Sequence, residues 1–367
     1  MSSPNERYRI DNFHAKSLEN NPLNSPVDRD INIYLPPGYF KDNSKRFPVI
    51  YYLHGYSLSN RMWTITWQED ENKFLNFNVL PPNVAEKIDP EDLLYFEKFD
   101  DLIENGDLDP FIFVQPDASL HLPQISGRKD LRGIAFKKGS YYINSPATGN
   151  YMDYIIYDII DYIDNNYRTF PDKTHRALMG GSMGGYGALF LSLHHPDKFI
   201  SVVALSPANI RSIGATNWKL RIPFYEEIFG TEMGNKIGDM AWADILDTQD
   251  LILSKKTPLI PSIKRDIDGN IMDYSREAES NWRKFDIIKL IREKPDALKK
   301  LYILFNCEST DEFGLTGDSV RLHETLLELN IDHEYEIYSD PKVALSPHIF
   351  GIGSKIMDGM RFCLKYF

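Results

Sequence analysis

Cysteine is nearly absent: the 367 residues hold two, Cys307 and Cys363. Their spacing matches no metal-ligand pattern and two thiols make no disulfide framework, so both read as buried, apolar thiols. Positive charge is also in deficit. Lys and Arg number 41 against 53 Asp and Glu, a formal net charge of −12. Such a surface repels phosphate backbones, which argues against a nucleic-acid partner. No apolar stretch approaches the ~20 residues that span a bilayer, so no membrane partner is expected either. Residues 1–9 are polar and carry no apolar signal segment, which makes a cytoplasmic location the expectation. Internal repeats and low-complexity tracts are missing as well. What remains is a chain 42% hydrophobic, ample for one large core.

Against those absences, one stretch concentrates the chemistry. Residues 178–188 contain Gly180-Gly181-Ser182-Met183-Gly184, which fits the G-x-S-x-G pattern of a serine held on a sharp strand-to-helix turn. Such a turn needs close backbone approach that a Cβ obstructs, hence the glycines. The flanks suit it. Residues 175–179 form a short apolar run after a turn-like Pro171-Asp172-Lys173, and residues 186–194 read as a helix stopping before Pro196. A bare G-x-S-x-G is a weak signal, and its bland reading is a glycine-rich turn. The strand and helix on either side favour a nucleophile.

The rest of the chain supplies a matching scaffold. Apolar strands are expected at 31–35, 49–53, 111–114, 202–205 and 301–305, and a further one at 334–338. Continuous apolar strands alternating with helices point to an α/β fold with a mostly parallel central sheet covered on both faces. Between residues 151 and 163, Asp153, Asp158 and Asp161 face away from Ile155, Ile156, Ile159 and Ile163, the pattern of an amphipathic covering helix. Residues 1–367 are read as a single domain. Two segments, about 57–110 with Trp63 and Trp67 and about 207–290 with Trp218, Trp242 and Trp282, are too long for simple connections and are read as insertions shaping the mouth of a site. Asp266-Ile267-Asp268-Gly269-Asn270 has its glycine too early for a calcium loop and reads as a hairpin turn.

A serine nucleophile needs a base and an acid that orients it, in chain order Ser, acid, His in this kind of sheet. Of the later histidines, His194 and His195 end the helix leaving the turn. His323 falls on a helix surface, and His333 begins a strand rather than following one. His348 remains, in a loop after the last strand. For the acid, Glu308, Asp311, Glu312 and Asp318 all follow the strand at 301–305. Asp318 suits a helix cap, Glu308 and Glu312 are open as the acid or as solvated loop charges, and spacing leans only modestly to Asp311, so that amides at the other three should each cost little. Oxyanion donors are expected from the backbone N–H of Met183 and, in His54-Gly55-Tyr56, of Tyr56.

Taken together, these residues resemble the esterase branch of the α/β-hydrolases that includes esterase D-like, feruloyl esterase-like and mycolyltransferase-like proteins. The resemblance rests on Tyr34-Leu35-Pro36-Pro37-Gly38-Tyr39, Tyr52-Leu53-His54-Gly55, the serine motif with its trailing Gly185-Tyr186-Gly187, Cys307 to Glu312, and Ser346-Pro347-His348. It implies the α/β-hydrolase fold and maps the acid onto Asp311 and the base onto His348. The sequence departs from it at Glu308-Ser309, where many members have Gly-Thr, and in the length of the two insertions. The expected activity is hydrolysis of short-chain or compact aromatic esters through an acyl-enzyme, with no metal or organic cofactor. The alternative is acyl transfer to an alcohol or sugar. Tyr141, Tyr142, Phe224 and Tyr225 are candidates for an aromatic acyl pocket, with plain packing as the bland reading.

Overall fold

The computed structural model describes residues 4–60, 96–121, 138–210, 220–253, 263–265 and 271–367. Its centre is an eight-stranded sheet made of β1 (Tyr8–His14), β2 (Asp28–Tyr34), β3 (Val49–Leu53), β4 (Ile112–Pro116), β5 (Arg176–Gly181), β6 (Ser201–Leu205), β7 (Tyr302–Glu308) and β8 (Glu334–Tyr338). The spatial order is β1-β2-β4-β3-β5-β6-β7-β8. From β4 through β8 every pairing is parallel, while β2 runs antiparallel to both its neighbours.

The interior strands are apolar at successive positions because each face is covered. On β3, Val49, Tyr51 and Leu53 point into one core and Ile50 and Tyr52 into the other; on β6, Val202 and Ala204 part from Val203 and Leu205 in the same way. The principal helices are α1 (Phe96–Glu104), α2 (Met183–His194), α3 (Pro223–Phe229), α4 (Thr231–Leu253), α5 (Leu315–Glu328) and α6 (Pro347–Leu364). Helices α2 and α5 pack into the first core, α1 and α6 into the second. The amphipathic stretch is helical from 151 to 166 and buries Ile155, Ile156, Ile159 and Ile163 as expected. Its middle, Tyr154–Ile159, is a wider π-helical turn that periodicity does not predict.

Several boundaries move. Strand β7 continues through Asn306, Cys307 and Glu308, so Glu308 is a buried strand end rather than a solvated loop charge. Gly314, in the left-handed region at φ 68°, starts α5, which leaves Asp318 inside the helix beside Arg321 and not at its cap. In the first long segment, α1 belongs to the covering layer: Phe99 is fully buried and Asp100 binds Arg7, Tyr8 and Tyr34. Residues 61–95, with Trp63 and Trp67, lie outside the described residues, as do Trp218 and residues 266–270, where a hairpin turn is expected. The strands on either side of 266–270, Ile263–Arg265 and Ile271–Tyr274, pair antiparallel. Both cysteines are free and buried. No described helix is long and apolar enough to cross a membrane.

Candidate active site

Strand β5 runs through Gly180 and Gly181 and turns at once into α2, leaving Ser182 between them at φ 57° and ψ −119°. A non-glycine residue in that region is strained, and the surroundings hold it there. Ser182 N–H donates to Leu205 O at 2.9 Å, and its carbonyl accepts from Tyr186 N and Ala208 N at 3.0 Å. The close approach expected of the glycines is literal: a Cβ on Gly184 would collide with the Leu53 carbonyl, and one on Gly180 with the backbone of Gly184.

The structure brings Ser182, His348 and Asp311 together from three parts of the sequence. Ser182 Oγ lies 2.8 Å from His348 Nε2, and His348 Nδ1 lies 2.6 Å from Asp311 Oδ2. A carboxylate accepts only, so Nδ1 carries the proton and Nε2 faces the serine as the acceptor. Asp311 Oδ1 accepts from Phe313 N at 2.9 Å, which fixes the carboxylate within its own turn, and the Cys307 thiol reaches Oδ2 at 3.7 Å. Burial pushes that thiol up to about 12, so it is present as a neutral donor. Burial alone would push the His348 imidazole down. The Asp311 charge and hydrogen bond, with Glu312 behind them, outweigh it and leave His348 above its ordinary pKa.

His348 does not sit in a loop. It is the second residue of α6, whose cap is the Ser346 hydroxyl accepting from Ile349 N. The other histidines are elsewhere. His194 ends α2 with Nδ1 on Phe190 O, and half-buried His323 pairs with His333 at 2.7 Å between α5 and β8. Glu308 turns inward to Ser309 and Thr310.

The loop after β3 passes the serine, since a Cβ built on Gly55 would lie 3.5 Å from Ser182 Cβ. His54 stiffens that loop: Nε2 accepts from Ala118 N at 3.0 Å and Nδ1 donates to Gly55 O at 2.9 Å. The Tyr56 hydroxyl donates to Asp244 Oδ2 at 2.8 Å and sits 2.8 Å from Thr248 Oγ1, both on α4. Lys138 pairs with the same Asp244. Met183 is the first residue of α2, where leading N–H groups have no intrahelical acceptor.

Tyr141 and Tyr142 belong to the packed interior. Both are fully buried, with Tyr142 Oη donating to His54 O at 2.8 Å and Tyr141 Oη accepting from Gln249 Nε2 at 2.5 Å. Phe224 and Tyr225 sit on half-buried α3, where Phe224 packs toward Phe350 of α6. Among the described residues, Phe313 lies 4.5 Å from the His348 ring, and Trp242 lies 6.4 Å from Phe313. Sequence reasoning missed Phe313, Asp244, Thr248 and Lys138, and only Phe313, two residues past Asp311, carried a positional signal. Among the described residues, no group of three or more His, Cys, Asp or Glu side chains is placed to hold a metal ion.

A family model described as "Putative esterase" matches residues 90–334, a stretch that includes Ser182 and Asp311. Among solved structures, a ferulic acid esterase aligns with TM-score 0.58 and 18% identity over 98% of this chain and 97% of its own. An S-formylglutathione hydrolase from Agrobacterium tumefaciens aligns with TM-score 0.53 and 14% identity over 97% and 94%. The fluorophosphonate-binding serine hydrolase FphF of Staphylococcus aureus aligns with TM-score 0.50 and 16% identity over 97% and 98%.

Proposed function

Because this chain belongs to the "Putative esterase" family of the α/β-hydrolases and is a carboxylesterase, we propose that it cleaves its ester through Ser182, His348 and Asp311. His348 Nε2 takes the Ser182 proton as Oγ attacks the ester carbonyl. The Tyr56 and Met183 N–H groups hold the resulting oxyanion, and His348 returns the proton to the departing alcohol. Water, deprotonated by the same Nε2, then releases the acid and restores the serine. Asp311 keeps the imidazole in the tautomer that accepts and stabilises the imidazolium. The observation that carries this reading is the continuous chain from Ser182 Oγ through His348 to Asp311, 2.8 and 2.6 Å.

For substrate, the reading is a short or compact aromatic acyl ester. Its support is the pair of aromatic side chains on the His348 side, Phe313 4.5 Å from the imidazole ring and Trp242 6.4 Å from Phe313. The decisive test is Ser182→Ala. Ester hydrolysis should vanish with melting behaviour nearly unchanged, and a fluorophosphonate should label Ser182 in the parent and nothing in the variant. A variant that keeps most of its rate refutes the assignment.

A further inference from the structure

Asp311 holds the ring of His348; its neighbour in sequence holds the backbone. Glu312 Oε2 accepts from His348 N at 2.7 Å and Oε1 accepts from Ser346 Oγ at 2.5 Å. One carboxyl group thus ties together the cap residue of α6 and the amide of the histidine two positions later. The Ser346 hydroxyl, which donates to Glu312, accepts in turn from Ile349 N at 3.3 Å. The first turn of α6 is therefore ordered by a carboxylate from the β7–α5 connection, at the helix end where a negative charge is favourable.

We propose that Glu312 is a positioning residue for His348, a second carboxylate that fixes the backbone of the base and adds its charge to the imidazolium formed in the transition state. The inference rests on the reading of His348 as the base. The titratable groups that face Glu312 are His348 of α6, its neighbour Asp311 and the phenol of Tyr225 on α3. Burial raises the Glu312 carboxyl to about 7, with His348 opposing that rise and Asp311 adding to it. Each carboxylate charge in turn favours the protonated imidazole of His348. A solvated loop charge, one of the two readings the sequence left open for Glu312, would do none of this.

The test is Glu312→Gln, which keeps an oxygen for His348 N–H and removes the charge. If Glu312 stabilises the imidazolium, the acid limb of kcat/KM moves to lower pH by about one unit, and the plateau kcat falls by about the matching factor of ten, with KM nearly unchanged. Glu312→Ala, which also frees the backbone, should lose about a hundredfold in kcat, and Glu312→Asp should recover part of it. A purely structural role lowers stability or kcat without moving the acid limb, and a Glu312→Gln profile superimposable on the parent overturns the proposal. A second measurement reads the base directly: the imidazole resonances of His348, followed by NMR against pH, should titrate at lower pH in Glu312→Gln than in the parent, and an unmoved transition overturns the proposal. His348→Ala separates the two readings, because its retained activity would refute the base itself, whereas an inactive His348→Ala beside an unmoved Glu312→Gln limb refutes this inference alone.

Discussion

Asp311 and Glu308 lie three residues apart, and both are buried carboxylates, yet their partners assign them different work. Asp311 spends one oxygen on His348 and the other on its own turn, whereas Glu308 closes on Ser309 and Thr310. Asp311→Asn should therefore lower kcat by roughly 10⁴, the loss expected when the orienting carboxylate becomes an amide and the histidine tautomer is wrong. Glu308→Ala should instead lower the denaturation midpoint, costing about 1–3 kcal/mol for unsatisfied donors, with kcat much less affected. Steady-state kinetics and urea titrations on the two variants check both. The pH dependence follows from the same residues. His348 must be neutral to accept the serine proton, and Asp311 holds its pKa above the ordinary histidine value of 6.5. kcat/KM should accordingly rise with pH along an acid limb centred above 6.5, and Asp311→Asn should move that limb down. A rate independent of pH from 5 to 8, with chemistry limiting, contradicts a histidine base.

At the scale of elements, α4 is the piece that the sequence placed near the site without saying how. It grips the loop after β3 through Tyr56 on Asp244 and Thr248, and the 138–142 segment through Lys138 on Asp244 and Gln249 on Tyr141. Ser145 Oγ donates to Ile252 O at 2.6 Å, near the end of the same helix. Tyr56→Phe keeps the backbone N–H proposed as the oxyanion donor but releases α4 from it. The expected result is about 1 kcal/mol less stability and a weakened affinity for a boronic-acid transition-state analogue, with KM nearly constant. An unchanged analogue affinity would mean that the loop is held by His54 alone. Helix α3 makes a parallel contact on the other side, with Phe224 and Ile228 packed against Val343, Leu345 and Phe350 around the histidine turn.

For the molecule as a whole, the expectation concerns what is cleaved. Phe313 packs against the His348 ring, the net charge is −12, and no described helix has the length and apolarity of a membrane span. Nitrophenyl esters of two to sixteen acyl carbons, run beside methyl cinnamates, should show the highest kcat/KM for short acyl chains or the cinnamates. No jump in rate should occur at the solubility limit. A maximum at the longest chains would contradict the proposed preference for compact esters.

Local pattern determined much of this molecule. The glycines around Ser182, the apolar runs of β3, β4 and β6 and the isoleucine stripe at 155–163 record short-range constraints, such as backbone approach, two-sided burial and helical period, that hold wherever the segment lies. The order of Ser182, one acid and His348 along the chain was legible for the same reason, since each follows the end of a strand. Which of four acids meets the histidine was not legible from spacing, because Glu308, Asp311, Glu312 and Asp318 are all plausible until β7 is seen to run to Glu308 and α5 to begin at Gly314. The roles of Glu312 and Asp244 were decided only by tertiary structure. Their partners lie 36 and 188 residues away, and a carboxylate in a sequence carries no mark of whether water or a distant backbone amide will face it.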